Sequence, residues 1–168
     1  MIEITKRTAA LAAGLALGIG LAGAAHAHHS FAMYDQTKTV TLTGKLTRFI
    51  PGANHAQLLF DLVDENGKPQ TSDDGKSITW GVELGPAATI AKQGVSVDNF
   101  PIGTVMTVTL NPLRNGKNFG ALAVGGQLIA CGGEVPKGGC NEKTGHLYLQ
   151  SREGFGTQRV QTEPPAER

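Results

Sequence analysis

TVTLTGKLTRFI, residues 39–50, is the stretch on which the fold turns. Val40, Leu42, Leu46 and Ile50 fall on one side of an extended chain, and Thr41, Thr43, Lys45 and Thr47 on the other. This period of two marks a strand with one buried face. Gly44, in its middle, is the candidate for a bulge or tight bend, and Pro51-Gly52 ends the run.

Downstream the pattern repeats. HAQLLFDLV, residues 55–63, places Ala56, Leu58, Phe60 and Leu62 together, with His55, Gln57 and Asp61 opposite. The polar run DENGKPQTSDDGK, residues 64–76, reads as a solvated hairpin loop. SITWGVEL, residues 77–84, is a third strand with Ile78, Trp80, Val82 and Leu84 inward and Thr79 and Glu83 outward. Pro86 then opens a short helix, AATIAKQ, which Gly94 closes. VMTVTL, residues 105–110, is the fourth strand, and FGALAVGGQLIA, residues 119–130, the fifth, bent at Gly125-Gly126.

Three strands, one helix and two strands describe an all-β domain, a small five-stranded OB-like Greek-key barrel with its helix between strands three and four. The competing open sandwich gives no reason for a helix at that point. The 23 glycines among 168 residues disfavour long helices and suit the bends of a small barrel.

Residues 8–25 carry no charge, follow Lys6 and Arg7, and end at Ala25-His26-Ala27. A basic start, an apolar run and a small-residue cut site spell a secretory signal peptide over residues 1–27. A retained membrane anchor is the alternative, set aside because the run is rich in Gly and Ala and meets a cut site. The organisation expected is a signal peptide at 1–27, the barrel domain at 28–150 and a polar, disordered tail at 151–168. The expected location is the periplasm, with no membrane span after cleavage.

Fifteen Lys and Arg stand against fourteen Asp and Glu. That balance argues against a nucleic-acid partner, which asks for a basic surface. The two cysteines, Cys131 and Cys140, flank GGEVPKGG. In an oxidising compartment such a pair reads as one disulfide. A zinc pair would need two more ligands, and only His146 is near in sequence.

Chemistry is sparse. There is no G-x-S-x-G elbow and no phosphate loop, and Glu83 has no second carboxylate at a working spacing. The expectation is therefore a binding module without catalytic activity, for a small ligand or a periplasmic protein, and monomeric. On an OB-type barrel the face of strands two and three and the adjoining loops carry the ligand, which selects Asn54, His55, Glu83 and Arg114, with Asp61 and Lys117 nearby. Trp80 shares the parity of the core residues and is expected to pack there.

The alternative is copper. Cleavage after Ala27 exposes His28 as the first residue, whose α-amine and imidazole together chelate one ion. Nitrogen donors favour Cu(II) among first-row divalent ions. His28, His29 and His55 are the candidate metal ligands. A cut after Ala25 instead puts His28 in third position, another Cu(II) chelate.

The residues quoted so far, with a few more, form a recognisable series: His28-His29-Ser30-Phe31, Asp35, Val40-x-Leu42-x-Gly44, Asn54-His55, Trp80-x-x-Glu83, Gly94, Pro101-x-Gly103 and Pro112-Leu113-Arg114-Asn115-Gly116. In these the chain resembles a family of small exported bacterial proteins built on a domain of unknown function, over residues 28–126. The family has Asn-Pro-His before its second strand, and this chain has Gly52-Ala53-Asn54-His55, without the Pro. The resemblance implies export, a compact β domain and importance for the His-rich start and His55. It brings no reaction with it.

Overall fold

The computed structural model describes residues 31–153 and 156–158. The chain divides into two units, residues 1–33 and 34–168. Of the first, the described part is one 3-10 turn, Phe31–Met33. The signal peptide expected at 1–27 and the candidate ligands His28 and His29 lie outside the described residues.

The second unit contains strands β1 Val40–Ile50, β2 Gln57–Leu62 and β3 Thr79–Glu83, then helix α1 Ala87–Ala91. Strands β4 Val105–Pro112, β5 Phe119–Leu122, β6 Gln127–Ala130, β7 His146–Glu153 and β8 Gly156–Gln158 follow. The first five strands close in the circuit β1-β2-β3-β5-β4-β1. Strands β3 and β5 run parallel, and the other pairs are antiparallel. This is the expected five-stranded OB-type barrel with one short helix between β3 and β4.

Closure depends on the length of β1. Residues 40–45 pair with β4, and the remainder pairs with β2. Gly44 belongs to both ladders, opposite Met106 on one side and Leu62 on the other. A Cβ on Gly44 would stand 2.4 Å from the Phe60 ring and 2.6 Å from the Asp61 carbonyl oxygen. Glycine is thus required for close approach. The ladder irregularity anticipated at Gly44 falls instead between Leu46 and Arg48. There an extra residue shifts the parity, so that Phe49, opposite Leu58, packs against the core in place of the expected Ile50, which stands opposite Gln57.

The inward faces read from the sequence are largely those observed. Ala56, Leu58, Phe60, Val82 and Leu84 are fully buried. Trp80 and Ile78 are partly buried and pack against the same core. Ile90 of α1 joins it, so the short helix plugs the barrel with an apolar side chain. The hairpin between β2 and β3 is polar and solvated, with the Asp64 carboxylate accepting from the backbone N–H of Asn66 and Lys68, each at 2.9 Å.

Two expectations need correction. The fifth strand, read as one bent strand over 119–130, is broken into β5 and β6. Gly125 takes φ +72° at the break, a left-handed turn that most side chains resist. Both halves still pair with β4. The chain also does not become a tail at residue 151. Strand β7 runs to Glu153 and pairs with β8. Ser151 is buried, with its N–H donating to the Gly126 carbonyl at 2.9 Å and its own carbonyl accepting from Gly125 at 2.7 Å. Backbone pairing satisfies this segment, which its polar side chains had concealed.

Cys131 and Cys140 form the expected disulfide. Cys140 packs in a small second cluster with Val105 and Ile129, and its carbonyl accepts from the Thr107 hydroxyl at 2.7 Å. The bridge therefore fastens the loop after β6 onto β4. Among the described residues no helix is long and apolar enough to cross a membrane.

Candidate functional site at one end of the barrel

Three polar side chains meet where the β1–β2 loop reaches the end of β3. His55 lies two residues before β2, because the turn after Pro51 delivers Ala56 into pairing with β3. The Ala56 N–H donates to the Gly85 carbonyl at 3.0 Å and the Leu84 N–H to the Ala56 carbonyl at 2.8 Å. This register brings His55 Nδ1 to 3.7 Å from Glu83 Oε1. The Glu83 side chain is 13% exposed and that of His55 35%. Only in part, then, does water screen the pair.

Tyr34 completes the group. It forms a bridge with Leu113, just after β4, and the Asp35 N–H donates to the Pro112 carbonyl at 2.8 Å. Pinned there, Tyr34 is 1% exposed. Its hydroxyl meets no partner with full hydrogen-bond geometry. The phenol pKa is pushed well above the ordinary 10.0, first by burial, then by the negative charge of Glu83 and a hydrogen-bonding contact with it. The phenol is therefore held protonated beside a carboxylate.

Of the residues selected from the sequence, His55 and Glu83 are brought together. Asn54 adjoins His55 in an exposed bend. Arg114, exposed, follows Leu113 and so stands next in the chain to the residue that pairs with Tyr34. Asp61 is otherwise engaged, accepting from the Thr79 hydroxyl at 2.6 Å. The Lys117 N–H donates to Asn115 Oδ1 at 3.0 Å and shapes the β4–β5 loop. Tyr34 was missed. It lies outside every periodic stretch, and beside Phe31 and Met33 nothing in the lead into β1 sets it apart.

Among the described residues no three His, Cys, Asp or Glu side chains converge as a metal cage. What this end offers is an imidazole with a carboxylate on its Nδ1 side, and a buried hydroxyl on the same carboxylate. Such a set can accept or donate hydrogen bonds to a polar ligand.

Fold and site together define a small OB-type barrel with a polar end built from His55, Glu83 and Tyr34. The chain belongs to DUF6152, a family of unknown function, whose model matches residues 17–122. The match ends with β5 and so takes in the whole closed barrel, leaving β6, β7, β8 and the disulfide loop beyond it. Neither the curated proteins nor the solved structures gave a match.

Proposed function

We infer that the protein is an exported binding module without catalytic activity, taking its ligand at the barrel end that carries Asn54, His55, Glu83 and Arg114. The observation that supports this reading is the 3.7 Å approach of His55 to Glu83 beside the buried Tyr34 hydroxyl. Folding alone gains little from gathering such groups, since each gives up hydration on the way in. Export and the periplasm rest on the signal-peptide pattern of residues 1–27. The absence of catalysis rests on a sequence without a nucleophile motif or a spaced carboxylate pair.

A second reading, copper handling, draws on one feature of the site. A carboxylate on the Nδ1 side of an imidazole is the usual way to orient the ring for a metal on its other nitrogen. In this reading the N-terminal His28 supplies an amine and an imidazole nitrogen, and His29 or His55 supplies the third.

Cu(II) titration of the chain cut after Ala27, followed by EPR, tests it. The copper reading predicts one Cu(II) per chain with nitrogen-rich hyperfine structure, lost in His28→Ala and simplified in His55→Ala. Uptake unchanged in both variants overturns it. The binding-module reading is tested separately, by the folding stability of variants at the His55–Glu83 pair.

A further inference from the structure

A second cleft, of about 600 Å³, opens between the loop that leads into β4 and the start of β7. None of Tyr34, Asn54, His55, Glu83 or Arg114 lines it. Its volume is in the range of small-molecule sites. One wall, with Lys45 and residues 99–104, lies within the family match. The other, with Ala130, Gly132, Gly133, His146 and Tyr148, comes from the part of the chain beyond it.

The lining is one-sided in charge. Lys45 and His146 contribute to it, and no Asp or Glu does. Lys45 is exposed and enters no salt bridge among the described residues. Its Cε passes 3.8 Å from where a Cβ on Gly103 would stand, so the turn at Gly103 leaves the stem room to lie along the cleft. Asp61 faces Lys45 across the β1–β2 ladder but accepts from the Thr79 hydroxyl, and Glu134 shares with Lys45 an adjoining hollow of about 280 Å³; neither reaches ion-pair distance. His146 offers a ring N–H whether neutral or protonated.

One wall of the cleft is aromatic. Tyr148 stands edge-on to Phe100 at 4.7 Å between ring centroids, and Phe100 is fully buried. His146 in turn meets Tyr148 at 4.4 Å. The ring wall is thus anchored in the core. Ile102, 73% exposed, and Pro101 add apolar surface to the lining.

One fixed cation and one imidazole suit a single negative charge; a phosphate dianion is commonly met by more cations or by a guanidinium fork. An aromatic wall and an exposed isoleucine suit a flat apolar body. We propose that this cleft is a binding site for a small aromatic monocarboxylate, its carboxylate on Lys45 and its ring against Tyr148, His146 and Ile102.

Amide chemical-shift mapping of the full, isotope-labelled chain tests the proposal, with benzoate as probe, benzamide as its neutral counterpart and inorganic phosphate as a bare anion. The expected result is saturable benzoate shifts at Gly103, Thr104, Gly132 and Gly133. Affinity should be at least about tenfold weaker, a difference of about 1.4 kcal/mol, for benzamide and for Lys45→Met. Lys45→Arg, which keeps the charge, should retain binding, and His55→Ala should leave it unchanged. Benzoate shifts that are absent or elsewhere, benzamide binding as well as benzoate, phosphate alone reproducing the shifts, or undiminished benzoate binding in Lys45→Met would each overturn it.

Discussion

His55 Nδ1 stands 3.7 Å from Glu83 Oε1, although 28 positions separate the two residues in the chain. The distance is an ion-pair contact rather than a good hydrogen bond, and the imidazole is half-buried. A partly solvated pair of this kind is worth under about 1 kcal/mol. A double-mutant cycle with His55→Gln and Glu83→Gln, read by denaturant unfolding, should return a coupling below that value. A coupling of several kcal/mol would make the pair a structural brace.

Tyr34 should control stability at alkaline pH. Its pKa is raised in the folded protein, by burial first and by Glu83 second. Its contribution is complete below the ordinary value of 10.0. As pH rises past that value the unfolded chain releases the phenol proton while the folded chain keeps it, so stability falls. Tyr34→Phe should flatten this alkaline decline, and Glu83→Gln should lessen it without removing it. Unfolding curves at successive pH values check this, and a decline unaltered in Tyr34→Phe speaks against the assignment.

Gly44 is where β1 passes from one partner to the other. Adding a methyl there forces it against the Phe60 ring and the Asp61 backbone, and only the ring can give way. Gly44→Ala should cost about 1–3 kcal/mol, seen as a lower denaturant midpoint with an unchanged slope.

The disulfide closes a loop with a sequence separation of 9. On the chain-entropy view, removing it by Cys131→Ser with Cys140→Ser costs about 2.5–3 kcal/mol. The loss should be felt first at the extension. Exchange of the backbone N–H at position 131, which in the parent donates to the Val105 carbonyl at 2.8 Å, should accelerate more than that of the Leu46 N–H, which donates to the Thr104 carbonyl. Equal acceleration of both would mean that barrel and extension unfold as one unit.

The barrel was legible because its signals are local. Alternation in 39–46 and 55–63 shows which side chains face inward, and Pro86 with Gly94 brackets the helix. The extension was not. In β7 the inward positions include Ser151, a polar residue whose fit depends on backbone bonds to Gly125 and Gly126. Composition cannot announce such pairing, and late strands of this kind read as tail. The bulge after Leu46 was likewise invisible, since it answers to curvature imposed by two different partner strands. At the site, His55 and Glu83 were selected through the habit of the fold. Tyr34 was not, because its burial follows from one bridge to Leu113 rather than from any periodicity.

The claim that the His55–Glu83 end is a ligand surface is tested most directly by the unfolding free energy of the His55→Gln, Glu83→Gln double variant at neutral pH. Groups held for a ligand do little for the fold, and their replacement by neutral polar side chains often leaves stability equal or higher. The account predicts a double variant as stable as the parent within about 0.5 kcal/mol, or more stable. A loss beyond about 2 kcal/mol would show that these side chains hold the barrel end together, and would contradict it.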